Sequence, residues 1–197
     1  MQTLTIAEAD GMTALGETLA AELRAGDLLV LSGPLGAGKT TLTRGIGAGL
    51  GVRGRVASPT FVLARTHPSL GDGPPLVHVD AYRLQSAMEL DDLDIDYARS
   101  VVVVEWGAGL LDGVAESWLE LDIVRPTGAG ADAAGSEATG SDDADGSGDD
   151  DIDDADDTDP TDASDLDADE PRTITIRGFG PRWEGTPYAG GSPATAK

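Results

Sequence analysis

Cysteine is absent from the 197 residues, which excludes a disulfide framework, a thiolate zinc site and thiol catalysis and is compatible with a reducing compartment. Asparagine is absent as well, and lysine occurs only at Lys39 and Lys197. No apolar run is long enough to cross a bilayer. The N-terminal segment carries Glu8, Asp10 and Glu17 and lacks the basic start and apolar stretch of a secretory signal. A soluble cytoplasmic protein without membrane association is expected.

Positive charge is scarce, and the formal net charge is -23. The imbalance is local: 18 of the 36 acidic residues and none of the 13 basic ones lie between Thr127 and Glu170, which leaves the remainder at -5. That stretch is built from Asp, Gly, Ala, Ser and Thr and cannot bury enough apolar surface to offset the entropy of ordering it. It reads as a disordered acidic insertion, 127–170, between a core at 1–126 and a return segment at 171–188, with a flexible tail at 189–197. The net charge describes the insertion more than the fold.

What is present elsewhere is an alternation of apolar strands and helical patterns. Leu15, Leu19 and Leu23 recur every fourth residue after Asp10 and predict an amphipathic helix that Gly26 and Asp27 end. The run D-L-L-V-L-S from Asp27 predicts a strand, followed by a glycine loop and a helix from Lys39 to about Gly47–Gly51. Further strands are expected at Val56–Ala64, Leu76–Asp80, Ser100–Glu105, Trp118–Val124 and Thr173–Arg177, the last two as a hairpin whose turn holds the insertion. The expected class is α/β, P-loop NTPase-like, with a central, mostly parallel sheet flanked by helices.

The run G-P-L-G-A-G-K-T from Gly33 to Thr40 matches G-x-x-x-x-G-K-[ST] between a predicted strand and a predicted helix, the context in which that pattern holds phosphate. Gly33, Gly36 and Gly38 allow backbone conformations closed to other residues, so that N–H groups from Gly33 through Leu35, Gly36, Ala37 and Gly38 can converge on phosphate oxygens at a helix N-terminus. Lys39 is suited to the β- and γ-phosphates, the Thr40 hydroxyl to magnesium and Thr41 to the α-phosphate. A glycine turn without a ligand is the plain alternative. Guanine readers use [N/T]-K-x-D, which a chain with no asparagine and only Lys39 and Lys197 does not contain, so ATP is favoured by exclusion.

Such a loop works with a carboxylate at the end of another strand, which holds Mg2+ directly or through water and orients the attacking group. Asp80 ends L-V-H-V-D and Glu105 ends V-V-V-V-E, so both are candidates for catalysis and for the metal, beside Lys39 and Thr40. His78 shares a strand face with Asp80, and a strand histidine is more often a packed residue than a catalytic one. Trp106 can cover the nucleotide or pack. Ser58 and Thr60 lie where P-loop switch proteins place a threonine that senses γ-phosphate.

Together, L-G-E at Leu15–Glu17, L-S-G-P-L-G-A-G-K-T-T at Leu31–Thr41, S-P-T-F at Ser58–Phe61, H-V-D-A-Y-R-L at His78–Leu84 and V-E-W at Val104–Trp106 resemble the bacterial TsaE (YjeE) family. G-F-G-P-R-W at Gly178–Trp183 is similar to that family's terminal region. The resemblance implies a magnesium-dependent ATPase of tRNA threonylcarbamoyladenosine (t6A) synthesis. Lys39 and Thr40 would bind phosphate and magnesium, hydrolysis would depend on Asp80 and Glu105, Trp106 would lie near the nucleotide and Thr60 would belong to a switch. It implies TsaB-like and TsaD-like partners, tRNA contacted only indirectly, and hydrolysis that resets the complex between rounds. The chain departs from the family in its insertion and in Asp94, near which the family usually has glycine. A small P-loop metabolite or nucleotide kinase is the alternative, against which the dispersed Arg44, Arg65, Arg83 and Arg99 suggest no lid.

Overall fold

The computed structural model describes residues 1–84, 86–109, 115–125 and 170–190. The expected disordered insertion lies outside the described residues except for Glu170, as do residues 191–197 of the expected tail. Ala189 and Gly190 are tied down: the Gly190 N–H donates to Gly178 O at 2.8 Å, and the amino group of Met1 donates to Ala189 O at 2.6 Å.

The described strands are β1 (Gln2–Ile6), β2 (Leu28–Ser32), β3 (Ala64–His67), β4 (Leu76–Asp80), β5 (Val101–Glu105), β6 (Trp118–Val124) and β7 (Arg172–Phe179). They form one seven-stranded sheet in the order β1-β7-β6-β2-β5-β4-β3. The four central strands run parallel, whereas β1 and β7 on one side and β3 on the other pair antiparallel. The sheet is therefore mixed: parallel at its centre, antiparallel toward both edges.

Sequence explains this division. Every residue of β5, V-V-V-V-E, is buried, as expected for a branched strand covered on both faces. By contrast, β6 and β7 alternate buried and partly exposed residues, so they present one apolar face. Their register pairs Trp118 with Phe179 and Val124 with Thr173, the hairpin the alternation predicts.

Helices α1 (Ala9–Ala20) and α2 (Lys39–Gly49) pack together on one face of the sheet. Met12, Leu19, Leu42 and Ile46 meet Leu29, Leu31, Val103, Leu121 and Ile176 there. Each such side chain contributes about 1.5–3 kcal/mol on burial. The helices touch closely because a Cβ at Gly45 would stand 2.2 Å from Thr13 O. On the other face Val30, Val77, Val79, Val102 and Val104 are covered by Leu90 of the short α3 (Ala87–Asp91) and by Leu93, Ile95 and Tyr97.

Three expectations shift. No strand occupies Val56–Leu63; pairing begins only at Ala64, in the edge strand β3. The reason is a turn in which Val62 and Leu63 both donate to Pro59 O, at 3.0 and 2.8 Å, and which leaves Leu63 at φ 65°. Helix α1 stops at Ala20 and Leu23 is buried in the turn beyond it. Strand β1, whose Leu4 and Ile6 alternate with Thr3 and Thr5, was legible by the same period-two rule but not anticipated. Asp94, near the family's usual glycine, has φ 50°, a left-handed conformation that aspartate tolerates better than most residues.

The C-terminal segment is fastened to the turn that follows α1 by Tyr188, whose hydroxyl donates to Glu22 Oε1 at 3.1 Å. Burial, then Glu22, pushes the phenol up to about 12. A phenol raised in the native state keeps a proton that the unfolded chain releases near pH 10. Its stabilisation is thus full below pH 10 and is lost as pH rises toward 12. Tyr188→Phe is expected to cost about 1 kcal/mol at neutral pH. It should also flatten the fall in stability between about pH 10 and 12, which denaturant unfolding at stepped pH would measure.

Candidate active site

Parallel pairing sets the site at one edge of the sheet. In register, Leu31 stands opposite Glu105, and Asp80 stands opposite Glu105, so the ends of β2, β5 and β4 lie side by side. The glycine loop leaves β2 there and α2 begins at Lys39. Gly33, Gly36 and Gly38 have φ of 147°, 72° and 95°. At Gly33 a Cβ would also fall 2.5 Å from Ile123 O of β6, so no side chain fits without moving the backbone. Gly38 caps α2 without a side-chain acceptor, which leaves the first-turn N–H groups to other partners. Ala37 is fully buried beneath the loop, Leu35 is 80 % exposed at its tip, and Thr41 is half-buried in the first turn of α2.

Lys39 is buried at the loop's base. Its Nζ donates to Gly33 O at 3.0 Å and Pro34 O at 2.9 Å and lies 3.6 Å from the centre of the Trp106 ring. Burial pushes the ammonium below its usual range, opposed by the charges of Glu105 and Asp80. Trp106 follows β5 with φ 64°, a conformation that strains a bulky residue by about 1–3 kcal/mol. Its N–H donates to Leu31 O at 2.9 Å, and the Tyr82 ring meets it edge-on at 5.5 Å.

The two carboxylates are both buried but have different company. Glu105 Oε1 accepts from the Thr40 hydroxyl at 3.0 Å and lies 2.8 Å from His78 Nε2. Asp80 accepts at Oδ2 from the Thr60 hydroxyl, 2.8 Å, and at Oδ1 from the Tyr82 N–H, 3.0 Å. Thr60 in turn is 2.8 Å from the Ser58 hydroxyl, and Arg83 donates to Thr60 O. The 58–63 loop is also tied to β4 by its backbone, since the Asp80 N–H donates to Leu63 O at 2.8 Å.

The fold therefore gathers Lys39, Thr40, Ser58, Thr60, Asp80, Glu105 and Trp106 into one hydrogen-bonded and stacked cluster around the loop. Leu35 and Ala37 stand on the loop and Thr41 in the first turn of α2, where the sequence predicted them. Sequence reasoning missed the parts played by Tyr82, Arg83 and His78. All three stand in the H-V-D-A-Y-R stretch, so the signal was in hand, but its meaning lay in long-range contacts.

Comparison with known proteins identifies relatives of the chain. Residues 6–130 match a family model described as "Threonylcarbamoyl adenosine biosynthesis protein TsaE". Among curated relatives, the tRNA threonylcarbamoyladenosine biosynthesis protein TsaE of Streptomyces coelicolor is 64% identical over 124 residues, 61% of this chain and 84% of that one. Its namesake in Bacillus subtilis is 38% identical over 116 residues, covering 57% of this chain and 70% of the relative. Among solved structures, Bacillus subtilis YdiB superposes with a TM-score of 0.51 at 30% identity, over 64% of this chain and 78% of the other.

Proposed function

The chain belongs to the TsaE family and so to tRNA threonylcarbamoyladenosine biosynthesis, and from that premise we propose that it is a magnesium-dependent ATPase whose hydrolysis resets a TsaB–TsaD-type transferase complex between rounds of modification. The observation that carries the ATPase reading is the 3.0 Å bond from Thr40 on α2 to Glu105 at the end of β5. It couples the helix that opens the glycine loop to a strand-end carboxylate, the pairing that phosphoryl chemistry on this type of loop requires.

The residues fit both groups. A left-handed glycine cradle that a Cβ would fill at Gly33 suits close approach of phosphate to backbone N–H groups. Thr40 spends its proton on Glu105, so its oxygen lone pairs remain for a hard cation, with Glu105 and Asp80 as further oxygen donors. Bound there, magnesium would neutralise phosphate charge and hold the reacting oxygens in place.

Each side chain then has a task. Lys39 exchanges the Gly33 and Pro34 carbonyls for phosphate oxygens, a trade favoured by its burial. Glu105, bonded to Thr40, belongs to the metal side of the site. Asp80, bonded to Thr60, belongs to the 58–63 loop, and an incoming γ-phosphate competes for the Thr60 hydroxyl. Trp106 covers Lys39 and excludes water. ATP over GTP follows from the absence of a guanine-reading element.

Steady-state hydrolysis by the purified chain, alone and with TsaB- and TsaD-like proteins, tests the reading. Weak turnover alone that rises with the partners and vanishes on chelating magnesium is expected. Transfer of phosphate from ATP to a metabolite would replace it with the kinase reading.

A further inference from the structure

We propose that His78 is a positioning residue for the hydrolytic reaction: its Nε2–H holds Glu105 by Oε1, fixing the carboxylate so that one oxygen serves the protein and the other is left for the chemistry. The inference rests on the ATPase reading and extends it to a fully buried side chain of β4.

Glu105 ends a fully buried strand, where a carboxylate needs donors to stay in place. The Lys39 Nζ donates elsewhere, to the Gly33 and Pro34 carbonyls. Among the described residues the donors are the Thr40 hydroxyl at 3.0 Å and His78 Nε2 at 2.8 Å, and both land on Oε1. Thr40 sits in the first turn of α2, where the proposed function gives its oxygen to a cation. His78 sits on β4, one strand away from Glu105, with no exposed surface. It is thus the donor set in the sheet, apart from the loop helix.

The tautomer follows from the geometry. A bare Nε2 lone pair 2.8 Å from a carboxylate oxygen is repulsive, so Nε2 carries the proton. Nδ1 is buried without a hydrogen-bond partner among the described residues, so the ring's one polar attachment is Glu105. Partners of this kind behind a functional ligand typically matter by about 10–100-fold.

Three measurements on the full chain test this. With only two histidines, His67 and His78, a long-range proton–nitrogen spectrum of the wild type assigns each ring, using His78→Gln to identify the signals. A protonated Nε2 on His78 is expected; an Nδ1–H tautomer with bare Nε2 overturns the proposal and needs no variant to fold. His78→Leu, which fills the buried position but cannot donate, should lower kcat about 10–100-fold. Its nucleotide affinity, read by calorimetry, should stay within about threefold of wild type. His78→Gln, whose amide nitrogen can reach the imidazole Nε2 position, should recover most of that loss. A leucine variant with wild-type kcat, or a glutamine variant as impaired as the leucine one, contradicts the inference. Absence of ATP hydrolysis by the wild type with its partners would instead overturn the function itself, while the tautomer still decides whether His78 holds Glu105.

Discussion

Glu105→Gln is expected to reduce ATP turnover by about 100-fold or more while nucleotide still binds. Glutamine has the size of glutamate and can still accept from Thr40, so the fold and the 3.0 Å contact that joins α2 to β5 can persist. What disappears is the negative charge at the metal side of the site and its pull on Lys39, whose charged form Glu105 favours. Because that charge acts mainly where charge is redistributed during reaction, the loss should appear in kcat more than in binding. Parallel calorimetry and steady-state kinetics separate the two; an equal loss in both would indicate a merely structural role.

Lys39→Ala is expected to have the complementary signature. Each charge-assisted bond from an ammonium to phosphate is worth about 1.5–3 kcal/mol, so ATP should bind about 10–100-fold more weakly. The unliganded protein, however, should be at least as stable as the wild type. Burial lowers the lysine's affinity for its proton, which means the charged form is disfavoured in the folded state. That penalty is present below the lowered pKa and is relieved as pH rises toward the ordinary lysine range, so stability climbs with pH there in the wild type and not in the variant. A site held at a cost to stability marks residues kept for function. Thermal melts without nucleotide, compared with calorimetry of ATP binding, check both halves. A destabilised variant with undiminished affinity would show that Lys39 serves the fold.

Much of this was legible in the sequence, because the signals are local. The G-P-L-G-A-G-K-T run states its own context: an apolar strand before it, glycines where φ must be positive, a helix after it. Asp80 and Glu105 could be placed at strand ends since L-V-H-V-D and V-V-V-V-E are apolar runs that stop at a carboxylate, and the register sets the two side by side. What failed were inferences in which a distant partner overrides local preference. Val56–Leu63 has β-forming residues, yet Pro59 collects two N–H groups into a turn, and Arg44 and Arg83 hold the Val56 and Thr60 carbonyls from outside. Trp106 at φ 64° follows from no rule of propensity; only the Leu31 carbonyl, the Lys39 ammonium and the Tyr82 ring around it account for its conformation. His78 read as an ordinary core histidine because its partner lies 27 residues away on the next strand.

The antiparallel margins of the sheet have a similar origin. Period-two alternation identified β6 and β7 as a hairpin, but it carries no information on which strand flanks them, and β1 joins β7 through contacts spanning most of the chain. The arginine of the C-terminal turn, Arg182, fastens that margin to the start of β2 by bonding Asp27 at 3.0 and 3.1 Å.

The proposal that hydrolysis resets a transferase complex is tested most directly by following t6A formation over time in a reconstituted system containing excess tRNA and the Glu105→Gln protein. A first round of modification at the normal rate followed by a stall, where the wild-type protein continues through many rounds, is the expected result. Linear accumulation at the wild-type rate through many rounds would contradict it.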